Sequence, residues 1–258
     1  MIPIRDDNPQ LKVPVVTYTL IALNLLAWVL LQGYGQGNQF GMSICELGLI
    51  PADLLSNFPA APPSQSLPCG LSGDPNWTTV ISSMFMHGGW MHLAGNLWFL
   101  WIFGDNVEDS MGPIRFAVFY LLCGIAAAAA QILADPYSIV PMVGASGAIG
   151  GVMGAYIVLY PRVHVHLFFY VTTLAVPAFF MLGYWVLVQL LGGFQAVGGS
   201  GGGVAFWAHI GGFAAGATLI YLFKNNELLA AHPYHGWNQK QHRTRVFRSV
   251  DKSRDRFR

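Results

Sequence analysis

Every lysine and arginine of this chain lies in the two terminal segments or at the second and fourth gaps between six long apolar runs. The runs cover roughly 14–34, 82–104, 114–134, 144–160, 175–194 and 204–223. Each is near the roughly 20 residues that a helix needs to cross a bilayer. Arg5 and Lys12 precede the first run, Arg115 and Arg162 sit beside the second and fourth gaps, and nine more follow from Lys224 to Arg258. The other gaps, 35–80, 135–143 and 195–203, contain none. Six spans with both termini cytoplasmic put all 13 basic residues inside, as the positive-inside rule requires. Reading the 30-residue apolar stretch 167–196 as two spans would move the basic tail outside, so it is taken as an interfacial lead-in and one span. With 54% hydrophobic and 10% charged residues, the chain falls far below the roughly 25% charge of soluble domains.

The expected fold is therefore an all-α membrane protein. Residues 1–13 form a short cytoplasmic N-terminus, 14–223 a six-helix bundle, and 224–258 a basic tail read as disordered. The first run is followed by GYGQGNQFG rather than a small-x-small cleavage site, so it reads as a retained span. Cys123 lies in an apolar run and reads as inert packing. Cys45 and Cys69 share the first long loop and would pair if that loop faces an oxidising compartment. Nothing points to nucleic acid as a partner.

The stretch PMVGASGAIGGVMGAY at 141–156 is unusual for a helix. Each Gly costs about 1 kcal/mol against Ala in water. Inside a bilayer, small residues let helices approach closely. Ser146 lies between Gly144 and Gly147 near the start of span four, as a nucleophile or as one more small packing residue. His209 lies near the start of span six, in AFWAHIGGFAAG. Spans four and six run the same way, so Ser146 and His209 share a depth toward the outer face. An ionisable residue inside a span is costly and marks function by default. Span two carries His87, His92 and Asn96, and His92 and Asn96 share a face at i and i+4. Acyl transfer needs donors aimed at a developing oxyanion. An Asn amide, an imidazole N–H and the Ser146 backbone N–H at a helix start supply them. The structural alternative is interhelical hydrogen bonding with no chemistry.

A zinc site made from the three His would leave Ser146 without a role, and no HExxH is present. No Asp or Glu lies within the six spans as drawn. That excludes an aspartyl mechanism and leaves a hydrolase only a Ser–His dyad.

HGGWMHLAGN, GASG and AHIGGFAAG, in that order on spans two, four and six, resemble the rhomboid intramembrane serine proteases over roughly 80–223. The resemblance implies a six-helix bundle around an outward-facing, water-filled cavity, with no cofactor and no metal. It implies Ser146 as nucleophile and His209 as general base. Asn96 and His92 match the oxyanion residues, Gly144 opens the GASG turn beside them, and His87 is the additional His of span two. Glu108, in DNVEDSMG, matches the loop after span two. Substrates would be single-span membrane proteins cut near the outer membrane face. The short N-terminus without a transit peptide points to a bacterial cell membrane. Two departures stand out. Trp77 is followed by Thr78 where some members have Arg. Gly150 stands where some members stack an aromatic ring on the catalytic His, so Phe206 or Trp207 is expected to orient His209. The Gly-rich segment 197–203 is expected as a lid and span five as a side gate. Two other readings are a non-cleaving protein that binds or escorts membrane clients, and a transporter. The one-sided clustering of the polar residues argues against a transporter.

Overall fold

The computed structural model describes residues 2–57, 69, 71, 74–197 and 205–234. The chain is mostly helical, with one small sheet that an all-α expectation leaves out. Strand β1 (Ile2–Asp6) is followed by α1 (Val15–Leu30), α2 (Gly37–Leu47), and the single turns α3 (Pro51–Leu54) and α4 (Thr79–Ser82). Then come α5 (Trp90–Met111), α6 (Pro113–Ala134) and α7 (Ser146–Leu159). Strands β2 (His164–Phe169) and β3 (Thr172–Pro177) lead to α8 (Ala178–Val197), α9 (Phe206–Phe223) and α10 (Asn226–Ala231). Among the described residues three helices are long and apolar enough to cross a membrane: Pro113–Ala134, Ala178–Gln195 and Phe206–Phe223. Val15–Leu30 and Ser146–Leu159 are shorter apolar helices.

The centre of the bundle is α6, α7 and α9, packed through small residues. A Cβ on Gly212 would lie 1.9 Å from the Gly147 carbonyl oxygen, and one on Gly216 1.9 Å from that of Gly151. The two pairs advance in step, so α7 and α9 run parallel. Against α6, a Cβ on Gly151 would lie 2.4 Å from Cys123 Cβ, and one on Gly147 2.6 Å from Ala127 Cβ. The Gly content that is poor for a helix in water is what permits this backbone contact. Phe103, Phe116, Phe119, Tyr120, Met153 and Tyr156 fill the bundle beneath it.

The stretch DNVEDSM, expected as a loop, forms the last turns of α5. The Glu108 carboxylate accepts the backbone N–H of Val16 at 3.0 Å and of Thr17 at 2.8 Å, and the Thr17 hydroxyl at 2.8 Å. Asp109 accepts the N–H of Leu11 at 2.7 Å and of Lys12 at 3.1 Å. Helix α1 has no side-chain cap of its own. Its orphan N–H groups and positive end are met by the Glu108 carboxylate from about 90 residues away. The chain then reverses on Gly112 (φ 84°), which caps α5 and precedes Pro113 at the first position of α6. The helix expected as span two also starts later than expected: α5 begins at Trp90, so His87 lies on the approach to it.

The apolar stretch 167–196 is one helix preceded by a hairpin. Its first part, read as an interfacial lead-in, alternates side chains in β2 and β3, which pair antiparallel from His164–Pro177 to Phe169–Thr172. The N-terminus completes the sheet in the order β1-β2-β3. It is fixed by a Tyr156 hydroxyl donating to Asp6 and by Trp98 Nε1 donating to the Pro3 carbonyl. The tail stays folded past 224: Asn225 caps α10, and His232 packs on Tyr160 at 4.8 Å. The rest of the tail, 235–258, lies outside the described residues, as does 198–203 of the 197–203 segment expected as a lid. Cys45 and Cys69 form a disulfide with Cα atoms 5.2 Å apart, and Cys123 is free and buried.

Candidate active site

Ser146 is the first residue of α7 and His209 the fourth of α9. The parallel glycine contacts set these two helix starts level. Ser146 Oγ and His209 Nε2 are 2.7 Å apart. The backbones stay close here too: a Cβ on Gly150 would lie 3.0 Å from the His209 carbonyl oxygen. No large side chain fits at 150.

The His209 ring is held from α8 instead. Gln189 Oε1 lies 2.7 Å from His209 Nδ1, and Gln189 is buried. A Gln carbonyl only accepts, so Nδ1 carries the ring proton and Nε2 offers its lone pair to the Ser146 hydroxyl. Trp185, one turn earlier on α8, lies tilted beside the imidazole with centroids 5.9 Å apart. Its ring tip reaches within 3.7 Å of the Gly150 Cβ position. Phe206 and Trp207, the expected orienting rings, pack elsewhere: Phe206 against Gly192, and Trp207 against Gly193 and Phe194. Gln189 and Trp185 are thus the site neighbours that sequence reasoning missed. The available signal was a Gln in an otherwise apolar run.

On the other side of Ser146 stand His92 and Asn96 of α5. They share with Ser146, Gly144 and His209 the lining of a cavity of about 530 Å³. A Cβ on Gly144 (φ 122°) would lie 2.6 Å from His92 Nε2 and 3.4 Å from Asn96 Nδ2. The GASG turn therefore needs Gly at this point. The Gly88 N–H donates to His92 Nδ1 at 3.3 Å, which leaves the ring proton on Nε2, the nitrogen facing Gly144. Asn96 Nδ2 is buried and has no partner among the described residues. Two N–H donors thus face the turn that carries Ser146, and the first N–H groups of α7 add to them as an unpaired helix start.

His87 is fully buried but does not line the cavity. Gln32 brackets its backbone, donating to its carbonyl and accepting its N–H, both at 2.8 Å. Its ring meets His92 edge-on at 5.2 Å, backing the donor rather than joining it. Among the described residues no three His, Cys, Asp or Glu side chains gather as a metal site would require. Trp77 is exposed.

Residues 74–226 match the family model described as the Rhomboid domain. The chain belongs to the rhomboid family. It is 32% identical over 208 residues to Rhomboid protease GluP of Bacillus subtilis, covering 80% of this chain and 35% of that one. It is 30% identical over 193 residues to RHOMBOID-like protein 4 of Arabidopsis thaliana, covering 70% and 42%. Rhomboid protein 1, mitochondrial, of Saccharomyces cerevisiae is 31% identical over 144 residues, covering 54% and 39%. The chain spans about two fifths or less of the length of these relatives. Some rhomboid relatives are named as proteases and others only as rhomboid-like. The matched segment contains each of Asn96, Ser146, Gln189 and His209 of this rhomboid, so the site lies wholly within the family domain.

Proposed function

We propose that this rhomboid is an intramembrane serine endopeptidase that cuts single-span membrane proteins near the outer face of the membrane. The observation that carries the reading is the 2.7 Å contact between Ser146 Oγ and His209 Nε2, with the far ring nitrogen held by Gln189. In this reading α1, α5, α6, α7, α8 and α9 are six spans with both termini cytoplasmic, a topology favoured by the one-sided basic residues. The dyad then opens outward, the membrane is that of a bacterial cell, and α8 is the side through which a substrate helix enters.

A substrate helix must first unwind, because its carbonyls are otherwise tied up in backbone hydrogen bonds. Gly or Pro in the substrate span should therefore help. His209 Nε2 takes the proton of Ser146 as its oxygen attacks the carbonyl carbon. The oxyanion collects N–H donation from Asn96 Nδ2, His92 Nε2 and the Ser146 backbone. The imidazolium returns the proton to the leaving amine. Water, activated by the same Nε2, then releases the acyl group from Ser146. The mechanism needs no cofactor. A protonated His209 cannot act as base, so activity should fall at low pH.

The test is cleavage of a model single-span substrate by the purified protein, set against Ser146→Ala and His209→Ala, with fluorophosphonate labelling at Ser146 as a second readout. Cleavage and labelling lost in both variants is the expected result. Equal behaviour of all three proteins would end the protease reading and leave a client-binding role.

A further inference from the structure

The dyad contacts described so far join α7 to α9. The contacts that decide which His209 nitrogen is the base come from a third helix. Gln189 is one of two polar side chains in an α8 otherwise composed of apolar residues and glycine. Burying an amide in such a helix is unfavourable unless the amide is satisfied. Here its carbonyl meets the His209 Nδ1 proton at 2.7 Å. Trp185, at i−4 on the same face, closes the ring's flank where Gly150 leaves no side chain.

We infer that Gln189 is a positioning residue: it selects the His209 tautomer that leaves Nε2 free for Ser146, and so makes the base depend on the seating of α8. This rests on the protease reading above. Without the Gln189 carbonyl, the proton on Nδ1 would be buried unsatisfied. Moving it to Nε2 turns that nitrogen into a donor toward Ser146, which abolishes its use as a base. A neutral amide does this without placing a charge among apolar helices, where a carboxylate would be costly. Helix α8 meets α9 through Gly192 against Phe206 and Gly193 against Trp207. Displacement of α8 from that seat would strip His209 of both Gln189 and Trp185.

The experiment compares wild type, Gln189→Leu and Gln189→Glu in the purified full chain. It reads kcat and KM on a single-span substrate, the pH profile, and the His209 ring nitrogens by 15N NMR in detergent. Among the described residues lining the cavity, only His92 and His209 are ionisable, with no Asp, Glu, Lys or Arg. The acid limb therefore reports on these two rings. Gln189→Leu should lower kcat roughly tenfold to hundredfold with KM little changed, as expected for losing a bond to a nitrogen that becomes cationic in the reaction. Its His209 ring should also lose the single Nδ1–H tautomer. Gln189→Glu should retain more activity than Leu and move the acid limb to higher pH, because a carboxylate favours the imidazolium. A packing role predicts the reverse order, with Leu tolerated and Glu damaging. Wild-type kcat and pH profile in Gln189→Leu, or an unchanged ring tautomer, would overturn the inference. If the wild type neither cleaves nor labels, the protease reading fails on its own, and the tautomer measurement still decides the Gln189 contact.

Discussion

Gly212 approaches Gly147 so closely that a single added Cβ would sit 1.9 Å from the Gly147 carbonyl oxygen. That contact, repeated one turn on by Gly216 and Gly151, holds the start of α9 level with the start of α7. Gly212→Ala or Gly216→Ala must push two backbones apart, since no side-chain rotation can relieve a clash with a carbonyl. Overpacking of this kind costs about 1–3 kcal/mol or more. Both variants should melt earlier in detergent, and cleavage should fall with the loss of register. Gly183→Ala on α8 is the control. Its Cβ meets nothing within 4 Å, so stability should hold or rise by a few tenths of a kcal/mol.

Asn96 and His92 make a second, separable prediction. Asn96 Nδ2 is buried with no partner among the described residues, as a donor awaiting charge that forms only during reaction would be. Asn96→Ala should lower kcat by roughly 10²–10³ and leave KM nearly unchanged. Gly144→Ala should act in the same direction by driving a methyl group against His92 Nε2. Initial rates across a substrate titration separate this outcome from a loss of binding, which would raise KM instead.

Ser146, His209, His92 and Asn96 were legible because each combines an unusual residue type with a span, a depth and a neighbouring small residue. Helical contact and a shared cavity followed from that. Gln189 was not legible, since a lone Gln in an apolar run does not announce which of several helices it faces. Glu108 and Asp109 were misread as loop residues because their partners, the backbone N–H groups of Val16 and Thr17 and of Leu11 and Lys12, lie more than 90 positions away and leave no trace in side-chain pattern. The β2–β3 hairpin was hidden for a different reason. Only His164–Leu167 alternate polar with apolar, and the exposed positions beyond them include Phe168, Phe169, Leu174 and Ala175, so the alternation that marks a half-buried strand is cut short.

The buried Glu108 carboxylate is predicted to hold the entry of α1. Three donors converge on it, from Val16 and Thr17. Glu108→Gln keeps the shape but turns an NH₂ toward one or more of these donors. A loss of about 2 kcal/mol is expected, and about 3 kcal/mol or more for Glu108→Leu, which satisfies none of them. Thermal unfolding in detergent measures both. Hydrogen exchange should show the first turn of α1 opening before the α6–α7–α9 core, and equal protection of both regions would argue against the capping role.

Asp6 makes the sheet pH-dependent. Burial raises its carboxyl from the ordinary 3.8 to about 7, against the opposing effect of the Tyr156 hydroxyl that donates to it. The folded state therefore prefers the protonated acid more strongly than the unfolded chain does. Its contribution is fully present below about pH 4 and is lost as pH rises to about 7, where the folded carboxyl finally ionises. At about 1.4 kcal/mol for each tenfold change in proton affinity, the upper bound is about 4 kcal/mol. The difference in melting temperature between wild type and Asp6→Asn should accordingly shift in favour of Asn between pH 4 and pH 7. Over the same range, exchange at the β1–β2 amides should rise in the wild type and stay flat in the variant. A wild-type profile parallel to that of Asp6→Asn would mean that the carboxyl is solvated and the strand is held by its ladder alone.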